Sequence, residues 1–443
     1  MRPTFVALLA VLAAALPPPA FGPQRLAPDA TVRALLQERL GAAKGGGIVV
    51  GLLDPDGRRR VVAVGVPPDR VFEIGSITKV FTASILASMV ADGSVRLDDP
   101  VAKYVPASVR VPARNGRQIT LLDLATQSSG LPRLPTNLTP RDSTNPYADY
   151  TVEQMYAFLS AYELPRDVGQ TYEYSNLGMG LLGHALALKA GLSYEALVRQ
   201  RILAPLGMRE TAIILTPALR ARLAPGHDAE GRVVPNWDLP TLAGAGALRS
   251  TAGDMLTFLA ANLDSFAETH VSRHATGNPD LTIGLAWHIL ARPTITIVWH
   301  NGATGGYRSY TGFDAARRIG VVVLTNSSAN VDDIGFHLLD GTMPVAPPPR
   351  ARTAVAVASR ILDRYVGEYE LAPTFHIVVT RDSTGLFLQA TGQPRFQIYA
   401  ESDSAFSLTV VDAQITFVRD AAGTVTQLIL HQNGQDLPGR KSK

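Results

Sequence analysis

Strand-forming segments in this chain fall into two groups separated by a long helical stretch, and that interruption restricts the fold more than any other feature. Ile48 to Leu53 and Arg60 to Val64 are apolar, β-branched runs around Asp54-Pro55-Asp56-Gly57, a hairpin pattern. Helical periodicity fills most of the chain from Ser76 to about Leu263. Strand pattern returns at Ile283 to Trp287, Thr294 to His300, Tyr307 to Asp314 and Ile319 to Thr325. A helix over Thr31 to Gly41 precedes the first group, and one near Val331 to Leu339 follows the second. Strands at both ends of a helical insert predict one discontinuous α/β domain, an antiparallel sheet flanked by helices and carrying an all-α lobe. Its expected extent is 28–342.

Met343 to Arg352, with Pro344 and Pro347 to Pro349, reads as a linker, set at 343–357. Beyond it, a short helix at Ser359 to Tyr365 leads into six alternating segments between His376 and His431. Short strands at regular spacing predict a small antiparallel β-barrel over 358–443. No internal repeat is present.

The N-terminus has the form of a secretory signal, assigned to 1–22. Arg2 supplies the positive start, Phe5 to Leu16 the apolar stretch, and small residues between Ala13 and Ala20 the cleavage sites. The stretch is shorter than the ~18 apolar residues of a spanning helix. The expectation is a periplasmic or secreted protein with no membrane span after cleavage. There is no cysteine, which excludes disulfides, thiolate metal sites and a cysteine nucleophile. A net charge of +3 without a Lys/Arg cluster argues against nucleic acid as partner.

Gly75-Ser76-Ile77-Thr78-Lys79 opens an apolar helix that runs through Val80, Phe81, Ile85, Leu86, Met89 and Val90 toward Gly93. Lys79 falls one turn after Ser76, on the same face. A serine hydroxyl needs a base to become a nucleophile, and a lysine can serve if burial or nearby positive charge depresses its pKa. A helix N-terminus adds partial positive charge where an oxyanion would develop. Ser-x-x-Lys alone is weak, since a chain of this length holds roughly one by chance. Tyr172-Glu173-Tyr174-Ser175-Asn176 precedes a second apolar helix from about Leu177 to Ala190. Trp299-His300-Asn301-Gly302 ends a strand and enters Ala303-Thr304-Gly305-Gly306, where glycines allow a substrate backbone to approach. No Gly-x-Ser-x-Gly elbow is present. His270 and His274 have metal-pair spacing without a catalytic glutamate and read as surface residues. Neither a metal nor a cofactor is expected.

Taken in order, Ser76-Ile77-Thr78-Lys79, Tyr174-Ser175-Asn176 and His300-Asn301-Gly302 resemble the three motifs of the penicillin-recognising serine hydrolases. That group includes class C β-lactamases, DD-carboxypeptidases and endopeptidases, D-amino-acid peptidases and family VIII esterases. The resemblance extends through Leu97 to Val101, Ser128 to Pro132 and Gly244 to Thr251, and covers roughly residues 30 to 340. It implies that Ser76 forms an acyl-enzyme, that Lys79 takes or relays its proton, and that Tyr174 serves acylation and deacylation. It further implies that Asn176 holds the substrate amide, and that the N–H groups of Ser76 and Ala303 form the oxyanion hole beside Gly302. His300 stands where many members have lysine, so the fixed positive charge for a substrate carboxylate is missing there, and Arg308 is the candidate to compensate. Gln127 stands where many relatives have histidine. The C-terminal segment resembles a small lipocalin-like domain appended to some of these hydrolases. The expected substrates are small molecules or peptides: β-lactams, peptidoglycan-derived peptides or esters. A family VIII-type carboxylesterase and a non-hydrolytic penicillin-binding receptor share the same motifs and stay open, as does the oligomeric state.

Overall fold

The computed structural model describes residues 25–41, 45–346, 355–372, 375–391, 395–408, 413–432 and 435–442. The expected leader over 1–22 and the centre of the expected linker, 347–354, lie outside the described residues.

The first part is built on an eight-stranded, wholly antiparallel sheet. Its strands are β1 (Ile48–Leu53), β2 (Arg59–Val64), β3 (His274–Ala275), β4 (Leu281–Ile283), β5 (His288–Ala291), β6 (Thr296–Ala303), β7 (Arg308–Asp314) and β8 (Ile319–Thr325). Their order is β2-β1-β8-β7-β6-β5-β4-β3, so β1 from the first group closes onto β8 from the last, as the interrupted pattern requires. β1 and β8 are buried along their whole length because the sheet is covered on both faces. Side chains alternate between the faces: Val49 and Leu53 enter one core, while Ile48, Val50 and Leu52 enter the other.

Helices α1 (Asp29–Leu40) and α6 (Asp332–Leu339) cover the second face. The first face packs on α2 (Thr78–Ala91) and α5 (Ala252–Asp264), with Phe81 of α2 stacked on Phe258 of α5 at 3.9 Å. Beyond α2 lies the predicted helical lobe, which contains α3 (Val152–Ala161) and α4 (Asn176–Ala190). The Ser175 hydroxyl caps α4 by accepting the Gly178 N–H, and Gly191 ends the helix in the left-handed region. Gly183 of α4 lets the segment Ala243–Gly246 come so close that a Cβ would meet the Gly244 Cα at 2.9 Å. That approach fixes the carbonyl of Ala245 beside α2.

One predicted strand is wrong in detail. The apolar run Ile283 to Trp287 is not continuous: the Gly284 N–H donates to the Trp287 carbonyl and Ala286 takes a positive φ of 61°. The chain therefore turns between β4 and β5. His270 also departs from the surface reading; it is half-buried, meets the Phe313 ring edge-on and bonds the Asn262 carbonyl.

The second part, from Gly367, is a closed barrel of eight antiparallel strands. Tyr365, Tyr369, Phe406 and Phe417 fill its interior, Tyr365 stacking on Phe417 at 4.0 Å. The mixed α/β sheet with a helical lobe and a C-terminal barrel is the architecture expected from the sequence.

Candidate active site

Ser76 sits in the single 3₁₀ turn Gly75–Ile77 that leads into α2, at the point where this turn meets β6. The meeting is tight. A Cβ on Gly302 would lie 2.0 Å from the Ile74 carbonyl oxygen, and one on Gly75 would lie 2.7 Å from the Ala303 amide nitrogen. Gly75 also has a φ of +49°, which favours glycine. The Ser309 hydroxyl of β7 donates to the same Ile74 carbonyl at 2.9 Å and ties the turn to the sheet. Two glycines thus let the backbone carrying Ser76 lie directly against the backbone carrying Ala303.

Lys79 is fully buried one turn along α2. Its Nζ lies 2.9 Å from Ser76 Oγ, 2.8 Å from Asn176 Oδ1 and 2.7 Å from the Ala245 carbonyl. As an ammonium it has three protons for these three acceptors; as an amine it would keep a lone pair for the proton of Ser76. Burial, with help from the charge of Arg133, holds its pKa well below the ordinary lysine value. The group is therefore poised to lose and regain one proton at the serine.

Tyr174 lies in the turn before α4, with Lys79 Nζ 4.7 Å from its ring centroid and the Ser76 side chain near enough to its hydroxyl to favour the phenolate. Burial pushes that hydroxyl up to about 12, against the opposing pull of Ser76 and Arg133. The resting phenol is neutral, which makes Lys79 the more available base of the pair. Gln127 explains how the turn is held. Itself at a positive φ of 58°, it accepts the Ser175 N–H on its side chain at 2.8 Å and the Glu173 N–H on its carbonyl at 2.7 Å. Both neighbours of Tyr174 are clamped by this one residue.

Arg133 was not singled out in the sequence, although it directly follows the Ser128–Pro132 segment. Its guanidinium carbon lies 5.0 Å from the Tyr174 ring centroid, and its carbonyl accepts the Asn176 and Leu177 N–H groups at the start of α4. Asn176 also donates to the Tyr147 hydroxyl at 3.3 Å, so Tyr147 joins the wall beside Tyr174.

His300 is completely buried, with Nδ1 2.6 Å from the Asn301 carbonyl and Nε2 without a partner. An Nδ1–H donated to that carbonyl leaves the Nε2 lone pair facing inward. Its ring lies 6.2 Å from that of Tyr174 and 5.3 Å from that of His288. Burial and the neighbouring His288 and Lys79 hold its pKa well below the ordinary histidine value, so it is neutral at physiological pH. His288, a second residue missed in the sequence, hydrogen-bonds the Tyr172 hydroxyl at 2.9 Å; burial lowers its pKa to about 4.

Arg308 does not join this group. The β6–β7 register sets it opposite Ala303 and on the face of Asn301 and Tyr310, where α6 packs. Its Nη1 donates to the carbonyls of Thr304 and Tyr307. On the same face Asn301 donates to Asp332 at 2.5 Å.

The structure therefore brings Ser76, Lys79, Tyr174, Asn176, His300, Gly302 and Ala303 to one place and leaves Arg308 beside it. β5 pairs with β6 only as far as Trp299, so among the described residues no strand covers the outer edge of His300 to Ala303. Ala303 is exposed on that edge. An extended backbone can be added there next to Ser76. Among the described residues, no group of three His, Cys, Asp or Glu side chains is placed to hold a metal ion.

Residues 29–337 match the Beta-lactamase family model, and residues 351–441 match a domain of unknown function, DUF3471. The D-alanyl-D-alanine-carboxypeptidase/endopeptidase AmpH of Escherichia coli K12 is 32% identical over 314 residues, which span 63% of this chain and 79% of that one. A β-lactamase of Pseudomonas fluorescens is 25% identical over 304 residues, 59% of this chain and 81% of that one. Among solved structures, a β-lactamase/D-alanine carboxypeptidase from Yersinia pestis complexed with citrate superposes with a TM-score of 0.61 at 25% identity. That match covers 71% of this chain and 96% of the other.

Proposed function

The chain belongs to the Beta-lactamase family of serine hydrolases, and from that premise we propose that it is an exported enzyme acting through an acyl-enzyme on Ser76. Its substrates would be peptidoglycan-derived peptides ending in D-alanine, with β-lactams as inhibitors or slow substrates. The observation that carries this reading is the buried Lys79 amine, within hydrogen-bond distance of both Ser76 Oγ and Asn176 Oδ1. The division into 28–342, a linker 343–357 and a barrel domain 358–443 belongs to the same proposal; it is supported by a separate hydrophobic core in the barrel.

In the proposed sequence, neutral Lys79 accepts the proton of Ser76 as Oγ attacks the scissile carbonyl. The carbonyl oxygen becomes an oxyanion held by the N–H groups of Ser76 and Ala303, a role supported by the close approach of the two backbones. Tyr174, beside Ser76, gives its proton to the departing amine or ring nitrogen and is reprotonated from Lys79. Deacylation runs the same transfers in reverse with water as nucleophile. Asn176 fixes Lys79, and the open edge of β6 holds the substrate backbone. No helix among the described residues is long and apolar enough to cross a membrane, which is compatible with the proposed periplasmic or secreted location.

Intact-mass measurement with benzylpenicillin, free drug followed in parallel, tests the proposal. The expected result is an adduct on Ser76 that is absent from Ser76→Ala. Acylation that survives in that variant would move the nucleophile elsewhere.

A further inference from the structure

We propose that Arg133 is the carboxylate-reading residue of this cleft, taking an anionic group of the substrate beside Tyr174. The inference rests on the acyl-enzyme reading of Ser76 and deepens it. His300, whose ring lies 6.2 Å from that of Tyr174, is completely buried and neutral. It offers no fixed charge.

The other cations near the serine are engaged. Lys79 is buried, with its Nζ within hydrogen-bond distance of Ser76, Asn176 and the Ala245 carbonyl. Arg249 is held by Glu73 and Asp238, and Arg166 by Glu173. Arg308 holds two backbone carbonyls on the α6 side of the sheet.

Arg133 differs from all of them. It is exposed, its guanidinium lies over the Tyr174 ring at 5.0 Å, and among the described residues it pairs with no carboxylate. Its carbonyl accepts the Asn176 and Leu177 N–H groups, which ties the loop that carries Arg133 to the head of α4, where Asn176 sits. Its charge reaches Lys79, Tyr147, Tyr172 and Tyr174. A guanidinium over the Tyr174 ring with no carboxylate partner among the described residues suits a substrate anion, because its planar fork matches a carboxylate with two parallel hydrogen bonds. A carboxylate could come from the C-terminus of the leaving D-alanine or from an acidic side chain on the acyl half. The chemistry at Arg133 is the same for both.

The test uses the full chain and two matched pairs of peptides ending in D-alanyl-D-alanine. One pair differs as C-terminal acid against C-terminal amide; the other carries Glu against Gln at the preceding position. Wild type is expected to prefer the charged member of one pair, which identifies the source. Arg133→Gln should lower that charged-to-neutral ratio of kcat/KM by about tenfold or more, and Arg133→Lys should restore part of it. An equal loss for both members, or no loss, overturns the proposal. So does a wild-type enzyme with no preference in either pair. Peptide turnover by Ser76→Ala keeps the two levels apart: turnover that survives in that variant refutes the acyl-enzyme reading itself, whereas Ser76-dependent turnover without charge preference refutes only Arg133.

Discussion

Replacing Gly302 by alanine probes the most demanding contact in the site. The added Cβ would lie 2.0 Å from the Ile74 carbonyl oxygen and 2.4 Å from Ser309 Oγ. An ordinary carbon–oxygen contact needs ~3.3 Å, so β6 and the turn Ile74–Ile77 must separate by roughly 1.3 Å. The serine hydroxyl can rotate away, but a backbone carbonyl cannot. The Ser309–Ile74 hydrogen bond at 2.9 Å resists the same movement. Overpacking of this kind costs ~1–3 kcal/mol of stability. Its larger effect is on geometry, because the displaced element carries both Ser76 and its amide while Ala303 stays on β6. A misplacement of about 1 Å at reacting groups costs on the order of 100-fold in rate. The assay is the acylation rate of Ser76 by stopped-flow or intact mass, with thermal unfolding alongside. The expected result is a loss of on the order of 100-fold in acylation with a folded protein and an unchanged pH at which the acid limb falls. An acylation rate within about threefold of wild type would refute the claim that the two backbones must touch for the oxyanion to be held.

Two further predictions concern protons. If neutral Lys79 is the base, kcat/KM should fall as pH drops through its lowered pKa, since an ammonium cannot accept the Ser76 proton; a second fall is expected at high pH as Tyr174 deprotonates near about 12. A pH–rate profile with no acid limb over the range in which the protein stays folded would place the base elsewhere. His288 is held neutral in the folded protein with a pKa near about 4, against 6.5 for the ordinary group. Between these values the unfolded chain binds the extra proton, so stability is full above pH 6.5 and declines toward pH 4, by up to ~3 kcal/mol from this residue. His288→Phe should flatten that decline in urea titrations at pH 7 and pH 4.5, and an undiminished slope would assign the acid sensitivity to other groups.

The sequence made much of this architecture legible because the decisive signals were local. Three-residue spacing places Ser76 and Lys79 on one helical face, and the hairpin around Asp54 to Gly57 is written in its own turn residues. What escaped depended on distant partners. The pairing of His288 with Tyr172 joins positions 116 residues apart, and nothing near His288 announces it. Arg133 adjoins a recognisable segment, but its meaning comes from where the turn before α4 brings Tyr174. Arg308 lies beside the group and not in it because strand register, not proximity in sequence, decides which face of a sheet a side chain occupies. The run Ile283 to Trp287 looked like one strand because apolar composition does not reveal that Gly284 and Ala286 turn the chain. Two barrel strands, Gly367–Ala372 and Gln435–Lys441, were missed, the latter because Pro438 and Gly439 interrupt the usual strand composition.

The uncovered edge of β6 also says how the protein can expose sheet without inviting its own kind. An unpaired edge is ordinarily a template on which other chains assemble. Here the opening is four residues long, from His300 to Ala303, and both ends are blocked. β5 occupies the edge before it, and after it the chain folds back, the Thr304 N–H donating to the Tyr307 carbonyl. A strand of ordinary length from a neighbouring molecule would collide with β5 before it could settle. A short extended stub avoids that collision. The same architecture that leaves room for a short extended segment therefore rejects whole strands, and selection by length is built in before any side chain is read.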